Sequence, residues 1–196
     1  YIGASGFAGI HFSGIDGITL INNDIEAIFD AAANDGNAIE WGASCKFMAC
    51  KNIKFIENNF RGDHCTLLWI QECNNFLLLN NVFWNTNKFM STTHTPSAIR
   101  MVTQFGHDLE NIGMFYNTSY FAANTTVSSS KYDFMSFKVG SGSTSGSSAD
   151  FIVSKIYFLY NNCYSYDLDC PGRSDSPFLG IALPDANFCG NNFWSQ

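Results

Sequence analysis

Asn75-Phe76-Leu77-Leu78-Leu79-Asn80-Asn81-Val82-Phe83 is the stretch on which the reading of the fold turns. Read backwards from Asn81, non-polar side chains stand eight, five, three and two residues before it: Cys73, Phe76, Leu78 and Leu79. The same frame surrounds Asn58, with Cys50, Ile53, Phe55 and Ile56. It returns at Asn23, Asn117, Asn161 and Asn191, whose residues five before are Ile18, Ile112, Ile156 and Ala186. One repeat is apolar-x-x-apolar-x-apolar-apolar-x-Asn. Successive asparagines lie 35, 23, 36, 44 and 30 residues apart. Helical repeats hold their period closely, whereas here the motif is fixed and the period wanders. That is the pattern of a regular stack of strands from which loops of different length emerge. The spacing of 23 fits one bare coil of three short strands and three turns, and the longer spacings carry insertions.

A second strand precedes the motif. Ile10-His11-Phe12, Cys45-Lys46-Phe47 and Leu68-Trp69-Ile70 stand at identical offsets from their asparagines, with the alternation of a half-buried strand. Ile99-Arg100-Met101 and Phe137-Lys138-Val139 continue it at shifted offsets. Asp24 to Gly36 reads equally as a short helix capped by Asp24 or as a strand with Ile25 inward. Gly140 to Ala149, all Gly, Ser, Thr and Ala, is a flexible solvated loop, and Thr92 to Ser97 and Pro171 to Pro177 are further loops.

The 196 residues suffice for one core, and the chain is read as a single domain over 1–196. With 46% hydrophobic and 14% charged residues it is not a disordered chain, and its wealth of Phe and Asn favours strands and turns. A net charge of −7 argues against a general nucleic-acid binder. Apolar runs such as Ile156 to Tyr160 are too short to span a bilayer, so no membrane insertion is expected. The chain starts at Tyr1, with no signal peptide and no amphipathic helix to cover either end of a stack. It is therefore expected to be an excerpt of a longer protein, or to have its ends covered by a partner subunit.

Seven cysteines cannot all pair within the chain. Cys50, Cys73 and Cys189 fall on apolar positions of the repeat and are expected to be small buried thiols. Cys163 and Cys170 could bridge a short loop. The absence of any Cys-x-x-Cys pair argues against structural zinc, and neither metal nor cofactor is expected. Many free thiols suit assembly in a reducing compartment.

Taken together, the expected fold is all-β: a right-handed parallel β-helix, or solenoid, of about six coils with an asparagine ladder. Lines such as Asn52-Ile53-Lys54-Phe55-Ile56-Glu57-Asn58-Asn59-Phe60 and Asn75 to Phe83 resemble coils of the pectin-lyase-like superfamily, over nearly the whole chain. Stacked asparagines at a turn can hydrogen-bond one another along the axis, where an unpaired buried amide would cost about 1–3 kcal/mol. The other account of the repeated Asn is that it tolerates a left-handed turn conformation. Either account is structural.

Chemistry is sought on the outward positions of the strand before the motif. His11, Lys46, Trp69, Arg100 and Lys138 are expected to form one basic and aromatic row on an acidic protein. Such a row suits an extended anionic glycan, cations meeting carboxylates or sulfates and Trp offering a flat face; an ordinary solvated face is the alternative. The resemblance brings further motifs. Where pectate lyases carry a Trp-Ile-Asp-His-Cys-like segment whose Asp helps hold calcium, this chain has Trp69-Ile70-Gln71-Glu72-Cys73, and an amide is the weaker ligand for a hard cation. The adjacent aspartates of polygalacturonase-like hydrolases are absent, and Gly106-His107-Asp108 matches their Gly-His-Gly only in part. Asp63 and His64 could act as an acid/base pair or be a polar turn, and Glu40 and Glu72 are further carboxylates near strands. Asn124-Thr125-Thr126 is a glycosylation sequon, and Asn117-Thr118-Ser119 another that the ladder should make inaccessible.

The expected function is a carbohydrate-engaging β-helix that binds an acidic polysaccharide and, if catalytic, cleaves it as a lyase or glycoside hydrolase. The resemblance implies tailspike-like or polysaccharide-lyase-like proteins, hence an extracellular, cell-surface or virion setting, and it alone raises a homotrimer. The alternative is a non-catalytic structural or adhesin module acting as a rigid spacer.

Overall fold

The computed structural model describes residues 2–5, 8–29, 43–62, 66–85, 97–103, 108–121, 133–139, 153–165 and 186–195. These residues are all-β and contain no helix. In chain order the strands are β1 (Ile2–Ser5), β2 (Ala8–Ser13), β3 (Asp16–Ile21), β4 (Asp24–Phe29), β5 (Ala43–Met48) and β6 (Lys51–Ile56). They continue as β7 (Asn59–Gly62), β8 (Thr66–Gln71), β9 (Asn74–Leu79), β10 (Val82–Asn85), β11 (Ser97–Thr103) and β12 (Leu109–Phe115). The last are β13 (Thr118–Phe121), β14 (Asp133–Val139), β15 (Val153–Leu159), β16 (Asn162–Ser165), β17 (Ala186–Cys189) and β18 (Asn192–Ser195). Asp24 thus opens a strand, not a helix, and Ile25 is buried as the strand reading requires. The Gly140–Ala149 loop, Pro171 to Pro177, Asp63, His64, Glu40, Cys170 and the Asn124 sequon lie outside the described residues.

The strands form three parallel sheets. The five-stranded sheet has the order β14-β11-β8-β5-β2, the six-stranded sheet β17-β15-β12-β9-β6-β3, and the seven-stranded sheet β1-β4-β7-β10-β13-β16-β18. From β2 to β16 the chain visits the five-, six- and seven-stranded sheets in turn, laying each strand beside the last one in its sheet, and β17 and β18 then extend the six- and seven-stranded sheets. This cyclic order is compatible with a parallel β-helix. Each such round shifts the chain by one strand spacing, about 4.8 Å.

The repeat columns explain the packing. Residues five and three before each ladder asparagine point inward: Ile53 and Phe55, Phe76 and Leu78, Ile112 and Met114, Ile156 and Phe158 are all buried. Facing them from the five-stranded sheet are Cys45 and Phe47, Leu68 and Ile70, Ile99 and Met101. Rings interlock across the core: Phe47 stacks on Phe12 at 5.0 Å and meets Phe55 and Phe76 edge-on at 5.2 and 5.5 Å. The column two before the asparagine is different. It has the opposite parity in a period-two strand, so it faces out: Ile21 is 56% exposed and Cys189 is exposed. The expectation that Cys189 is a core thiol is therefore corrected, whereas Cys50 and Cys73 are buried.

The thiols give a direct check. Burial pushes the Cys45 thiol well above its ordinary range, and thiolate is the reactive form. Mass spectrometry after brief alkylation of the folded protein is expected to find Cys189 modified and Cys45 and Cys73 unmodified until denaturant is added.

The six asparagines form one continuous ladder. Each Nδ2 donates to the next Oδ1: Asn23 to Asn58 at 3.1 Å, Asn58 to Asn81 at 3.1 Å, Asn81 to Asn117 at 3.0 Å, Asn117 to Asn161 at 2.9 Å and Asn161 to Asn191 at 3.1 Å. The same Oδ1 accepts the backbone N–H of the preceding asparagine, as in Asn58 to Asn81 at 2.9 Å. The second Nδ2 hydrogen goes to a backbone carbonyl, as in Asn81 to Phe55 at 3.0 Å. Asn117 is fully buried in this ladder, which makes its sequon inaccessible as expected. The left-handed residue is its neighbour: Asn22, Glu57, Asn80, Tyr116, Tyr160 and Gly190, each just before a ladder asparagine, have φ between 54° and 65°. The ladder Asn is thus selected for its side-chain amide, and the positive φ falls on a position open to several residue types.

Candidate functional site

The expected row on the five-stranded sheet exists for four of its five members. His11 pairs with Lys46, Lys46 with Trp69, and Trp69 with Arg100. Lys138 does not follow: Arg100 pairs with Ser136, and Lys138 stands beside Val102, two residues further on. A slip of two keeps every side chain on its own face, so alternation alone could not fix this register.

The row is also not an open surface. His11 is exposed, but Lys46, Trp69 and Arg100 are 8%, 3% and 7% exposed, and β8 is buried on both faces. Trp69 lies between two cations, with Lys46 Nζ 4.4 Å and Arg100 Cζ 4.9 Å from its ring centroid. Such contacts, desolvated, hold about 2 kcal/mol each. Burial, and secondarily the Arg100 charge, lower the Lys46 pKa. Burial, and then the Lys46 charge, hold His11 below its ordinary 6.5. The neutral imidazole is therefore favoured on folding, and stability falls as pH drops below about 6.5 into the range where His11 protonates in the unfolded chain first. An NMR titration of His11 is expected to show a midpoint below 6.5 that rises when Lys46→Gln removes the neighbouring charge.

Gln71 and Glu72, aligned with the calcium-binding segment of the lyases, end β8 and enter a turn, 1% and 4% exposed. Among the described residues no three His, Cys, Asp or Glu side chains converge as a metal site would need.

The feature that sequence reasoning missed lies on the seven-stranded sheet, three residues after each ladder asparagine. There Glu26, Arg61, Trp84, Tyr120, Tyr164 and Trp194 stand side by side in six successive strands. Positions on either side of this column explain its direction: Phe60 and Phe83 are buried and stacked at 4.8 Å, so the next residue faces out. Trp84, Tyr120, Tyr164 and Trp194 are 44%, 36%, 39% and 44% exposed. Trp84 meets Tyr120 at 4.6 Å, and Tyr164 stacks on Trp194 at 4.6 Å with planes 5° apart. Arg61, half-exposed, continues the row and lies 3.8 Å from Asp24. The signal was present in the sequence: extending the register three places past each Asn reveals the column.

Compared with protein-family models, curated proteins and solved structures, the chain matches none.

Proposed function

We propose that the chain is a right-handed parallel β-helix of about six coils that engages an extended acidic polysaccharide laid along its axis. The kinship with pectin-lyase-like proteins rests on the sequence resemblance given above. The observation that carries the binding reading is the exposed row Trp84, Tyr120, Tyr164, Trp194, headed by Arg61. Tyr and Trp combine an apolar ring with an O–H or N–H, the combination that a sugar's C–H faces and hydroxyls require. Their spacing of one strand repeat gives a straight track, and Arg61 gives an anionic unit a charged hydrogen-bond partner. Recognition without cleavage is the form of the proposal. The second reading, a rigid spacer, is favoured by the packing of Lys46, Trp69 and Arg100 into a buried stack instead of a ligand face.

Titration with polygalacturonate, followed by tryptophan fluorescence and calorimetry, separates the two. The binding reading expects saturable, salt-weakened binding with no new reducing or unsaturated ends. It expects at least a tenfold loss in the Trp84→Ala/Trp194→Ala double variant and little change in Tyr116→Ala. Absence of binding, or binding unaltered in the double variant, overturns it and leaves the spacer.

A further inference from the structure

The outer face of the six-stranded sheet carries a row of its own: Thr19, Lys54, Leu77, Gly113, Tyr157 and Asn187 stand in register. Every member but one has a side chain. At Gly113 the row lacks a side chain of its own, and the Phe115 ring leans into the place one would take. Around it lies a groove of about 390 Å³ floored by Gly113 and walled by Leu77, Phe115 and Tyr157. Phe115 leans over the glycine: a Cβ there would come 2.6 Å from its ring and 3.5 Å from Leu77.

The opposite wall is polar. Asn75 and Asn111 line the groove and belong to a second, exposed column of amides. In it Asn111 Nδ2 donates to Asn75 Oδ1 at 2.7 Å, Asn75 Nδ2 to Asn52 Oδ1 at 3.1 Å, and Asn52 Nδ2 to Asp16 Oδ1 at 2.6 Å. All three asparagines have left-handed backbone, φ 55–58°, which fixes the direction in which the amides leave the strand. An amide has two N–H donors and an oxygen with two lone pairs, and the column engages one donor of each and one lone pair of Asn52 and Asn75. A second donor and further acceptor capacity remain on each groove amide. At one end of the groove stands Lys54, exposed, with no acidic partner among the described residues.

We infer that this groove is a binding site for a single carboxylate-bearing pyranose. Its volume lies in the range of small-ligand pockets. The ring walls suit the C–H face of the sugar, the free amide donors and acceptors suit its hydroxyls, and the Lys54 ammonium suits the carboxylate. The acidic protein as a whole repels such an anion, so the lysine determines where it settles. The site lies on a different sheet from the aromatic row and stands or falls apart from it.

The test is a titration of the isotopically labelled protein with sodium glucuronate, with glucose and sodium acetate as separate probes, read at the side-chain amide resonances of Asn75 and Asn111. Glucuronate is expected to shift both saturably, and at least fivefold more tightly than glucose; acetate at the same ionic strength is expected to leave them in place. Lys54→Gln is expected to abolish the preference for glucuronate over glucose, and Tyr157→Leu to weaken both sugars. Both variants are expected to keep the wild-type dispersion of the remaining spectrum. Shifts that map elsewhere, equal affinity for glucose and glucuronate, or the same shifts with acetate would each overturn the inference. Polymer binding that fails in the Trp84→Ala/Trp194→Ala variant, while glucuronate still binds, bears on the aromatic row alone.

Discussion

Asn81→Ala is expected to lower the unfolding free energy by about 4 kcal/mol. Four hydrogen bonds end in that variant: those from the Asn58 backbone N–H and Nδ2 to Asn81 Oδ1, at 2.9 and 3.1 Å, and those from Asn81 Nδ2 to Asn117 Oδ1 and to the Phe55 carbonyl, both at 3.0 Å. Each unsatisfied group costs about 1–3 kcal/mol, and alanine offers nothing in exchange. No water relieves the loss at no cost, because Asn58, Asn81 and Asn117 are fully buried. The position of the asparagine in the ladder should set the size of the effect. Asn23→Ala, at the exposed end, is expected to cost about 1 kcal/mol. Asn80→Gly is expected to be neutral or slightly stabilising, since Asn80 is the residue with φ 54° and glycine adopts that conformation freely. Urea unfolding curves of the three variants check this. Equally small changes at Asn80 and Asn81 would mean that the amide ladder does not stabilise the fold.

Phe47→Ala is expected to cost a similar amount, about 4 kcal/mol. Phe47 is fully buried and belongs to the five-stranded sheet, while its edge-on partners Phe55 and Phe76 belong to the six-stranded sheet. Its stacked partner Phe12 lies one strand away in its own sheet. Removing the ring therefore opens a cavity at the seam of two sheets, bounded by backbone that the ladder and the parallel pairing hold in place. Such a site collapses poorly, which puts the cost near the upper part of the usual range. Phe47→Leu keeps most of the volume and is expected to lose about 1 kcal/mol. Calorimetric melting of the two variants distinguishes a packed seam from a loose one: comparable small losses in both would contradict the packing described.

The sequence disclosed the stack because two constraints act at once on the same residues. A residue that must both hydrogen-bond its neighbours above and below and follow inward positions at minus five and minus three leaves a visible frame even when loop lengths vary. What it disclosed less well was anything set by parity or by a two-residue slip. Leu79 and Cys189 are apolar, and apolarity alone placed their column in the core; the pleat places it outside, where Ile21 is 56% exposed. Lys138 was placed beside Arg100 because it alternates correctly, and Ser136 fits the alternation equally well. The basic row on the five-stranded sheet was legible as an alignment, but its burial was not. A Trp flanked by Lys and Arg in adjacent strands has the same sequence whether it meets a glycan or forms a cation–π stack. The aromatic row needed only the register continued past the ladder Asn. The groove at Gly113 needed coordinates, because a glycine in a row of side chains shapes a groove only through where Phe115, Asn75 and Asn111 stand around it.

All of these rows depend on one claim, that residues far apart in sequence are brought into line by one strand spacing per round. Pulsed electron–electron resonance between spin labels on the exposed column tests it most directly. One label replaces Glu26; the other, attached through a bio-orthogonal side chain so that the native thiols are untouched, replaces Tyr120, Tyr164 or Trp194 in turn. The stack requires separations that rise in equal steps of about 4.8 Å, reaching about 24 Å at Trp194, within the spread that the label tethers impose. The step from Tyr120 to Tyr164 spans 44 residues and that from Tyr164 to Trp194 spans 30, yet both must add the same distance. Distances that scale with the number of intervening residues, or distributions too broad to show a step, would contradict the stacked register.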